Sequence, residues 1–110
     1  MKLKINSNET IDLIYSFRAN IYYEQIQGHS LDFTNFTSSD LLTLFYCVVV
    51  ATLQKKQMPP MTMLEFMDIL DDNGGDHAVL EFSNWYTQQL QAQYDLYNAE
   101  ETKDNEETKK

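Results

Sequence analysis

The pattern of apolar and polar residues divides the chain into one strand-like segment and four helical segments. Residues 2–6 (KLKIN) alternate between polar and apolar side chains, which predicts a short strand. From Thr10 to Gln27 the apolar residues recur at helical spacing behind Asn8, a suitable N-cap. This span is therefore predicted to be the first helix. Gly28 is predicted to end it, because glycine readily adopts the left-handed conformation that closes many helices.

The second helical segment contains a long uncharged run, residues 41–53 (LLTLFYCVVVATL). A helix of this length rises about 20 Å, whereas the hydrocarbon core of a bilayer is about 30 Å thick. The run must therefore be covered by protein, and we expect a central helix that the other helices surround. Thr37 and Asp40 have the spacing of a capping box, and the helix is predicted to continue to Lys56.

Breaking and capping residues bound the remaining helices. Residues 57–61 (QMPPM) contain two consecutive prolines, which cannot continue a helix. Thr62 and Glu65 form a second capping-box pattern, so the third helix is predicted from Met63 to Leu70. Residues 71–75 (DDNGG) predict a turn, and the fourth helix is expected to run from Asp76 to Asn98.

These segments predict an all-α fold, a small four-helix domain around the central apolar helix, with a short N-terminal strand. The domain is expected to span residues 1–98, since a chain of 110 residues has the size of a single domain. Residues 99–110 (AEETKDNEETKK) contain one apolar residue, the first, and are predicted to form a disordered acidic tail.

Aromatic residues supply much of the expected core. Four phenylalanines are predicted to be buried: Phe17, Phe45, Phe66 and Phe82. In the connection formed by residues 29–36, three apolar residues are expected to plug the core: Leu31, Phe33 and Phe36.

The fourth helix carries an apolar stripe at steps of three and four residues, with Trp85 beside it. The stripe consists of Val79, Phe82, Tyr86, Leu90, Tyr94 and Tyr97. Its end enters a glutamine-rich stretch beyond the expected reach of the third helix. Because tyrosine and tryptophan are favoured at protein interfaces, we predict a protein-binding surface there. Its residues are Trp85, Tyr86, Tyr94 and Tyr97. Packing of the two terminal tyrosines along the first helix is the alternative.

The charge balance restricts the class of partner. The chain has 17 acidic residues against eight Lys and Arg, a net charge of −9. Such a field repels nucleic-acid phosphates and anionic lipid, so we expect neither nucleic acid nor membrane as a partner. The N-terminal sequence MKLKINSNET lacks the apolar region of a signal peptide, which predicts a cytoplasmic protein. Cys47, within the apolar run, is expected to be buried and inert.

No chemical motif accompanies the titratable residues. The acids around Gly74 and Gly75 fit neither register of an EF-hand loop, because position 1 would be Ile69 or Leu70. The two histidines have no metal-binding or nucleophile spacing. We therefore expect a non-catalytic protein without metal or cofactor. An enzyme site at residues 71–77 is the most distant alternative.

The order of four sequence blocks resembles a known family. The blocks are FRANIYYEQIQGHSLDF, TSSDLLTLFYCVVVAT, MTMLEFMDILDD and HAVLEFSNWYTQQL. Together they resemble the tail assembly chaperones of long-tailed bacteriophages, small proteins encoded just before the tape measure protein. The matching residues are Phe17, Arg18, Tyr22, Tyr23, Gly28, Asp40, Leu41, Leu44, Phe45, Tyr46, Thr62, Phe66, Leu70, Asp71, Phe82 and Trp85.

The resemblance implies an all-helical cytoplasmic protein with no catalytic residues, which holds the tape measure protein while the tail assembles. It also implies a longer form made by ribosomal frameshifting. The codons of Lys109 and Lys110 could supply the A-rich sequence on which the ribosome slips. An unrelated helical adaptor or regulatory subunit is the alternative function. Self-association into a homo-oligomer stays open.

Overall fold

The computed structural model describes the backbone of residues 1–108 and the side chains of residues 1–98. Its elements are β1 (Lys2–Lys4), β2 (Thr10–Asp12), α1 (Phe17–Gln27), α2 (Ser38–Lys55), α3 (Met63–Asp72) and α4 (Asp76–Thr108). A 3-10 turn, Phe33–Asn35, lies between α1 and α2. Within this described chain, the predicted four-helix fold is confirmed. The backbone of α4 continues past Asn98, its expected end, to Thr108. The side chains of residues 99–110, the tail predicted to be disordered, lie outside the described part.

Helix α2 is the centre of the domain, as predicted. Ten of its 18 residues are buried, so it has apolar contacts on most of its circumference rather than along one stripe. Phe45 of α2 stacks on Phe82 of α4 with ring centroids 4.2 Å apart and planes 5° apart. It also meets the edge of Phe66 of α3 at 5.1 Å. These three rings join α2, α3 and α4, and all three are fully buried as predicted.

Both predicted capping boxes are present. The Thr37 hydroxyl accepts a hydrogen bond from the Asp40 N–H at 3.1 Å, and the Asp40 carboxylate accepts one from the Thr37 N–H at 3.0 Å. Thr62 and Glu65 make the equivalent pair at the start of α3, at 3.2 and 3.3 Å. These bonds satisfy backbone N–H groups that have no partner within the helix.

The predicted start of the first helix is wrong. Residues 10–12 form β2, which pairs antiparallel with β1 and places Leu3 opposite Ile11, both buried. Helix α1 begins only at Phe17, where the Ser16 hydroxyl accepts from the Ala19 N–H at 3.4 Å. The three-residue step from Ile11 to Ile14 suits a helix, but burial alternates here with the two-residue period of a strand.

This later start also overturns the predicted burial of Phe17, which is 76% exposed. As the first residue of α1, Phe17 lies away from the buried face, and that face is formed by Ala19 and Tyr23. Gly28 ends α1 as predicted, with φ of 76° in the left-handed region. Phe33 is likewise no core plug, since half of its surface is exposed.

The N-terminal hairpin is held on the domain by two side chains. Asn73, at the end of α3, donates to the Lys4 carbonyl at 2.8 Å and accepts from the Lys4 N–H at 3.2 Å. On the other side, the Ile14 N–H donates to the Thr52 hydroxyl of α2 at 3.0 Å. The hairpin therefore covers the C-terminal end of α2.

The Asp40 cap should make stability depend on pH. Hydrogen bonding from Thr37 holds the pKa of Asp40 below its ordinary value of 3.8. A lowered folded-state pKa adds stability that is complete above the ordinary value and is lost as the pH falls through the folded value. We expect the melting temperature of the wild type to exceed that of Asp40→Asn at pH 6. The difference should shrink towards pH 2 in thermal melts followed by circular dichroism. An offset that stays constant over this range would contradict the role of the Asp40 charge.

Candidate functional site

An apolar groove lies between the start of α2, the 3-10 turn and the middle of α4. Its volume is about 320 Å³. Three elements contribute its lining residues, which are Phe33, Phe36, Leu41, Leu44, Ser83, Tyr86, Thr87 and Leu90. We call it the α2–α4 groove. Apart from the two small hydroxyl residues of α4 and the Tyr86 hydroxyl, the side chains are aliphatic or aromatic.

The 3-10 turn forms one wall of this groove because Asp32 fixes it. The Asp32 carboxylate accepts from the Thr34 N–H at 3.0 Å, from the Thr34 hydroxyl at 2.6 Å and from the Asn35 side chain at 3.3 Å. These hydrogen bonds lower the pKa of Asp32, so the carboxylate stays charged at neutral pH. The turn thereby presents Phe33, whose ring lies 5.1 Å from that of Phe36.

Tyr86 forms the floor of the groove. It is 4% exposed, and its hydroxyl donates to the Asn20 side chain of α1 at 3.1 Å. Its ring centroid lies 5.7 Å from that of Phe82 and 6.3 Å from that of Phe33. Burial is the main cause that raises the pKa of Tyr86 well above its ordinary value. Tyr86 thus links the core to the groove and stays a neutral hydrogen-bond donor.

Beyond the groove, α4 continues without cover. Leu90 is half-buried at the mouth of the groove, and residues 91–97 are all exposed. We call residues 91–98 the overhang. Tyr94 is 61% exposed and Tyr97 is 63% exposed, as is Leu96 at 60%. Since Leu90, Tyr94 and Tyr97 are spaced by four and three residues, they lie on one face of the helix. The apolar stripe of the groove therefore extends onto the overhang.

The four residues predicted to bind protein fall into two groups. Tyr94 and Tyr97 lie on the exposed overhang. Trp85 is half-buried and packs against the core, and Tyr86 is a core residue that also lines the groove. The structure therefore separates Tyr86 from the exposed tyrosines, although all belong to the same stripe. The interpretation that Tyr94 and Tyr97 pack along the first helix does not describe their position.

Sequence reasoning missed the contribution of the 3-10 turn. Phe33 and Phe36 were expected inside the core, yet they form a wall of the groove. Asp32 followed by Thr34 and Asn35 is a local turn signal that could have placed Phe33 on a tight, surface-exposed turn.

A second depression of about 290 Å³ lies on the other side of α2, between α1 and α2. Polar side chains bridge part of it, since Gln54 accepts hydrogen bonds from Arg18 and from the Tyr22 hydroxyl. Cys47 lies at its base and is fully buried, and burial raises the pKa of the thiol to about 12. The thiol is therefore protonated and shielded.

The turn at residues 71–77 joins α3 to α4. Asp71 and Asp76 border a shallow depression whose other lining residues are mostly apolar, and His77 is not among them. Within the part of the chain that the structure describes, no three His, Cys, Asp or Glu side chains come together to hold a metal ion.

None of the helices in the described residues combines the length and apolar character needed to cross a bilayer. Comparison of the chain with protein-family models, with curated proteins and with solved structures gives no match.

The separation of Tyr86 from the overhang can be measured as stability. Tyr86→Ala removes a buried ring and leaves Asn20 without its partner, so we expect a loss of about 3–5 kcal/mol in the free energy of unfolding. The double variant Tyr94→Ala/Tyr97→Ala changes exposed side chains and should stay within about 0.5 kcal/mol of the wild type. Urea denaturation gives both values. A loss of several kcal/mol in the double variant would show that the overhang is packed.

The inertness of Cys47 can be tested with a thiol reagent. Because the thiol is buried and protonated, we expect no reaction with a chromogenic disulfide reagent at pH 8 over many minutes in buffer. The same protein in concentrated urea should react at once and stoichiometrically, which is the internal control. Complete reaction within seconds in buffer would mean that the depression between α1 and α2 opens readily and exposes the Cys47 thiol.

Proposed function

We propose that this chain is a phage or prophage tail assembly chaperone, a non-catalytic protein that binds the tape measure protein during tail assembly in the host cytoplasm. The observation that carries a protein-binding role is the apolar stripe of α4. It runs from the α2–α4 groove onto the exposed overhang, where Tyr94 and Tyr97 are more than half exposed. A contiguous exposed apolar surface of this kind is typical of a partner-binding site.

The geometry favours a helical partner. The groove has apolar walls on both sides, formed by the 3-10 turn and α2 on one side and by α4 on the other. Recognition of an amphipathic helix uses such a groove, because residues spaced by three and four along the partner fill it. A tape measure protein, which the resemblance identifies as long and helical, offers many such stripes.

The resemblance to the chaperone family supports the choice among helix-binding proteins. Several matched residues occupy positions that define the architecture. Gly28 closes α1, Asp40 completes the cap of α2, and Thr62 caps α3. Phe45, Phe66 and Phe82 form the central ring cluster. The matched residues thus belong to the helical framework around the groove. The identity of the partner is inferred from the family.

An unrelated helical adaptor would use the same surface, so the identity of the partner has to be tested directly. The experiment is co-expression with the long open reading frame expected immediately downstream, which would encode the helical partner protein. We expect that product to be soluble, and to co-purify with this chain, only when both are made together. A variant with Leu90→Ala, Tyr94→Ala and Tyr97→Ala should lose most of this effect.

Leu64→Ala provides the matched control, since Leu64 is 75% exposed but lies on α3, outside the residues that line the groove. This variant should behave as the wild type. A long protein that is equally soluble with and without this chain would contradict the chaperone function. Equal losses in the Leu64 variant and the triple variant would contradict the assignment of the surface.

A further inference from the structure

Helix α4 carries a regular pattern of residues on its open face. Six residues follow one another at alternating steps of three and four, which is the spacing of the contact positions in a pair of packed helices. Three of them are well exposed in the single chain, Leu80 at 61%, Tyr94 at 61% and Tyr97 at 63%. We call the six residues the α4 seam, and they are Leu80, Ser83, Thr87, Leu90, Tyr94 and Tyr97.

The seam passes from the α2–α4 groove onto the overhang. Its residues Ser83, Thr87 and Leu90 line the groove, whereas its two tyrosines lie on the overhang, where residues 91–97 are exposed. Along α4 the groove extends over residues 83–90 and the overhang over residues 91–98, so each is about 12 Å long. The uncovered part of the helix therefore matches the open groove in length.

Antiparallel pairing of two α4 helices would bring these two parts together. In a two-fold symmetric pair, each contact between a residue of one copy and a residue of the other occurs twice. With the symmetry axis between Thr87 and Leu90, every seam residue has a counterpart in the second copy. Tyr97 lies opposite Leu80 of the second copy, Tyr94 opposite Ser83 of the second copy, and Leu90 opposite Thr87 of the second copy.

The paired residues are complementary in size. Tyr94 faces Ser83, the smallest residue of the seam, at a place where the groove of about 320 Å³ is open. Phe33, which is 51% exposed in the single chain, forms the groove wall there, and aromatic rings pack favourably against one another. Leu90 likewise faces the smaller Thr87. The overhang of each copy thus has the shape to fill the groove of the other.

The seam and its immediate surroundings are uncharged. Residues 82–94 (FSNWYTQQLQAQY) contain no Lys, Arg, Asp or Glu in a chain with a net charge of −9. At about 100° per residue, Glu81 and Asp95 point away from the middle of the seam by more than a quarter-turn. Asp76, about one turn before Leu80, bounds the uncharged face. A second copy can therefore approach along the seam without placing like charges opposite one another.

We propose that the full chain forms a two-fold symmetric dimer, in which two α4 helices pack antiparallel along the seam and the overhang of each copy fills the α2–α4 groove of the other. The dimer would remove the apolar seam residues of both copies from water. The seam and the groove wall are smaller than the roughly 20–30 residues a side of a standard interface, so dissociation is expected in the micromolar range.

This dimer does not depend on the proposed function, although it uses the same surface. A partner helix would have to displace the second copy, so the two occupants compete. Because the dimer separates on dilution, urea denaturation well below its dissociation constant measures the stability of the single chain.

Sedimentation equilibrium of the full chain over a range of concentrations tests the dimer. We expect the mass to rise from the 12.9 kDa of one chain towards twice that value. Tyr94→Glu should raise the dissociation constant at least about tenfold, because it places a charge in the apolar groove of the other copy. Leu96→Glu is the matched control, since Leu96 is 60% exposed on the overhang but lies on the far side of the helix from the seam. It should leave the dissociation constant within about twofold, and circular dichroism checks the fold of both variants.

A short bis-maleimide crosslinker tests the antiparallel register. Cys47 is fully buried, so introduced surface thiols react first. A mixture of Ser83→Cys and Tyr94→Cys chains should crosslink into dimers. Either variant alone should not, because its two introduced thiols would be separated by about 16 Å along the helices.

Salt gives an independent measurement. Since both copies are acidic and the seam contains no ion pair, raising the salt concentration from about 50 mM to about 500 mM should screen the repulsion and strengthen the dimer. A dimer that weakens over this range would contradict the uncharged seam as its interface.

Three further results would overturn the proposal. A chain that stays monomeric up to about 1 mM would leave the surface to a foreign helix. Equal effects of Tyr94→Glu and Leu96→Glu would place the interface elsewhere. Efficient crosslinking of Tyr94→Cys alone would exclude the antiparallel register. None of these results decides the chaperone function, because the solubility of the co-expressed partner can depend on this chain whether the chain alone is a monomer or a dimer.

Discussion

The structure depends on covering one helix that is apolar on nearly every side. An amphipathic helix needs one neighbour, whereas α2, with ten buried residues, needs several. The stacked rings of Phe45 and Phe82, with Phe66 against their edge, fix how α3 and α4 approach it. Helix α1 and the hairpin cover the rest. The other features follow from how far these covering elements extend.

The candidate site arises where the cover ends. Helix α4 is longer than the surface it has to cover, so its stripe is buried at Phe82, borders a groove at Tyr86 and Leu90, and is exposed at Tyr94. The 3-10 turn gives the groove its outer wall because Asp32 holds Phe33 on a tight turn. Stability and binding thus use successive parts of one helix face. This division explains why Tyr86 and Tyr94 are expected to respond so differently to substitution.

Much of the fold could be predicted because its signals are local. The two capping boxes, the glycine at the end of α1 and the consecutive prolines each define a helix end within a few residues. The hairpin could not be predicted in this way, since the step from Ile11 to Ile14 fits a helix while the pairing of Ile11 with Leu3 is non-local. The sequence also could not show where burial ends along α4. The apolar stripe continues without a break, whereas the elements that pack against it do not extend along its whole length. The 3-10 turn combined both difficulties, a local Asp32 signal and a tertiary position for Phe33.

The central claim is that the groove and the overhang together form the partner-binding surface. Hydrogen–deuterium exchange of the chain, alone and in its complex with the co-expressed partner, tests it most directly. We expect slower exchange in peptides covering residues 32–44 and 83–97, and unchanged exchange in α3 and in the hairpin. Slower exchange confined to α3 or to the hairpin, with residues 83–97 unchanged, would contradict the claim.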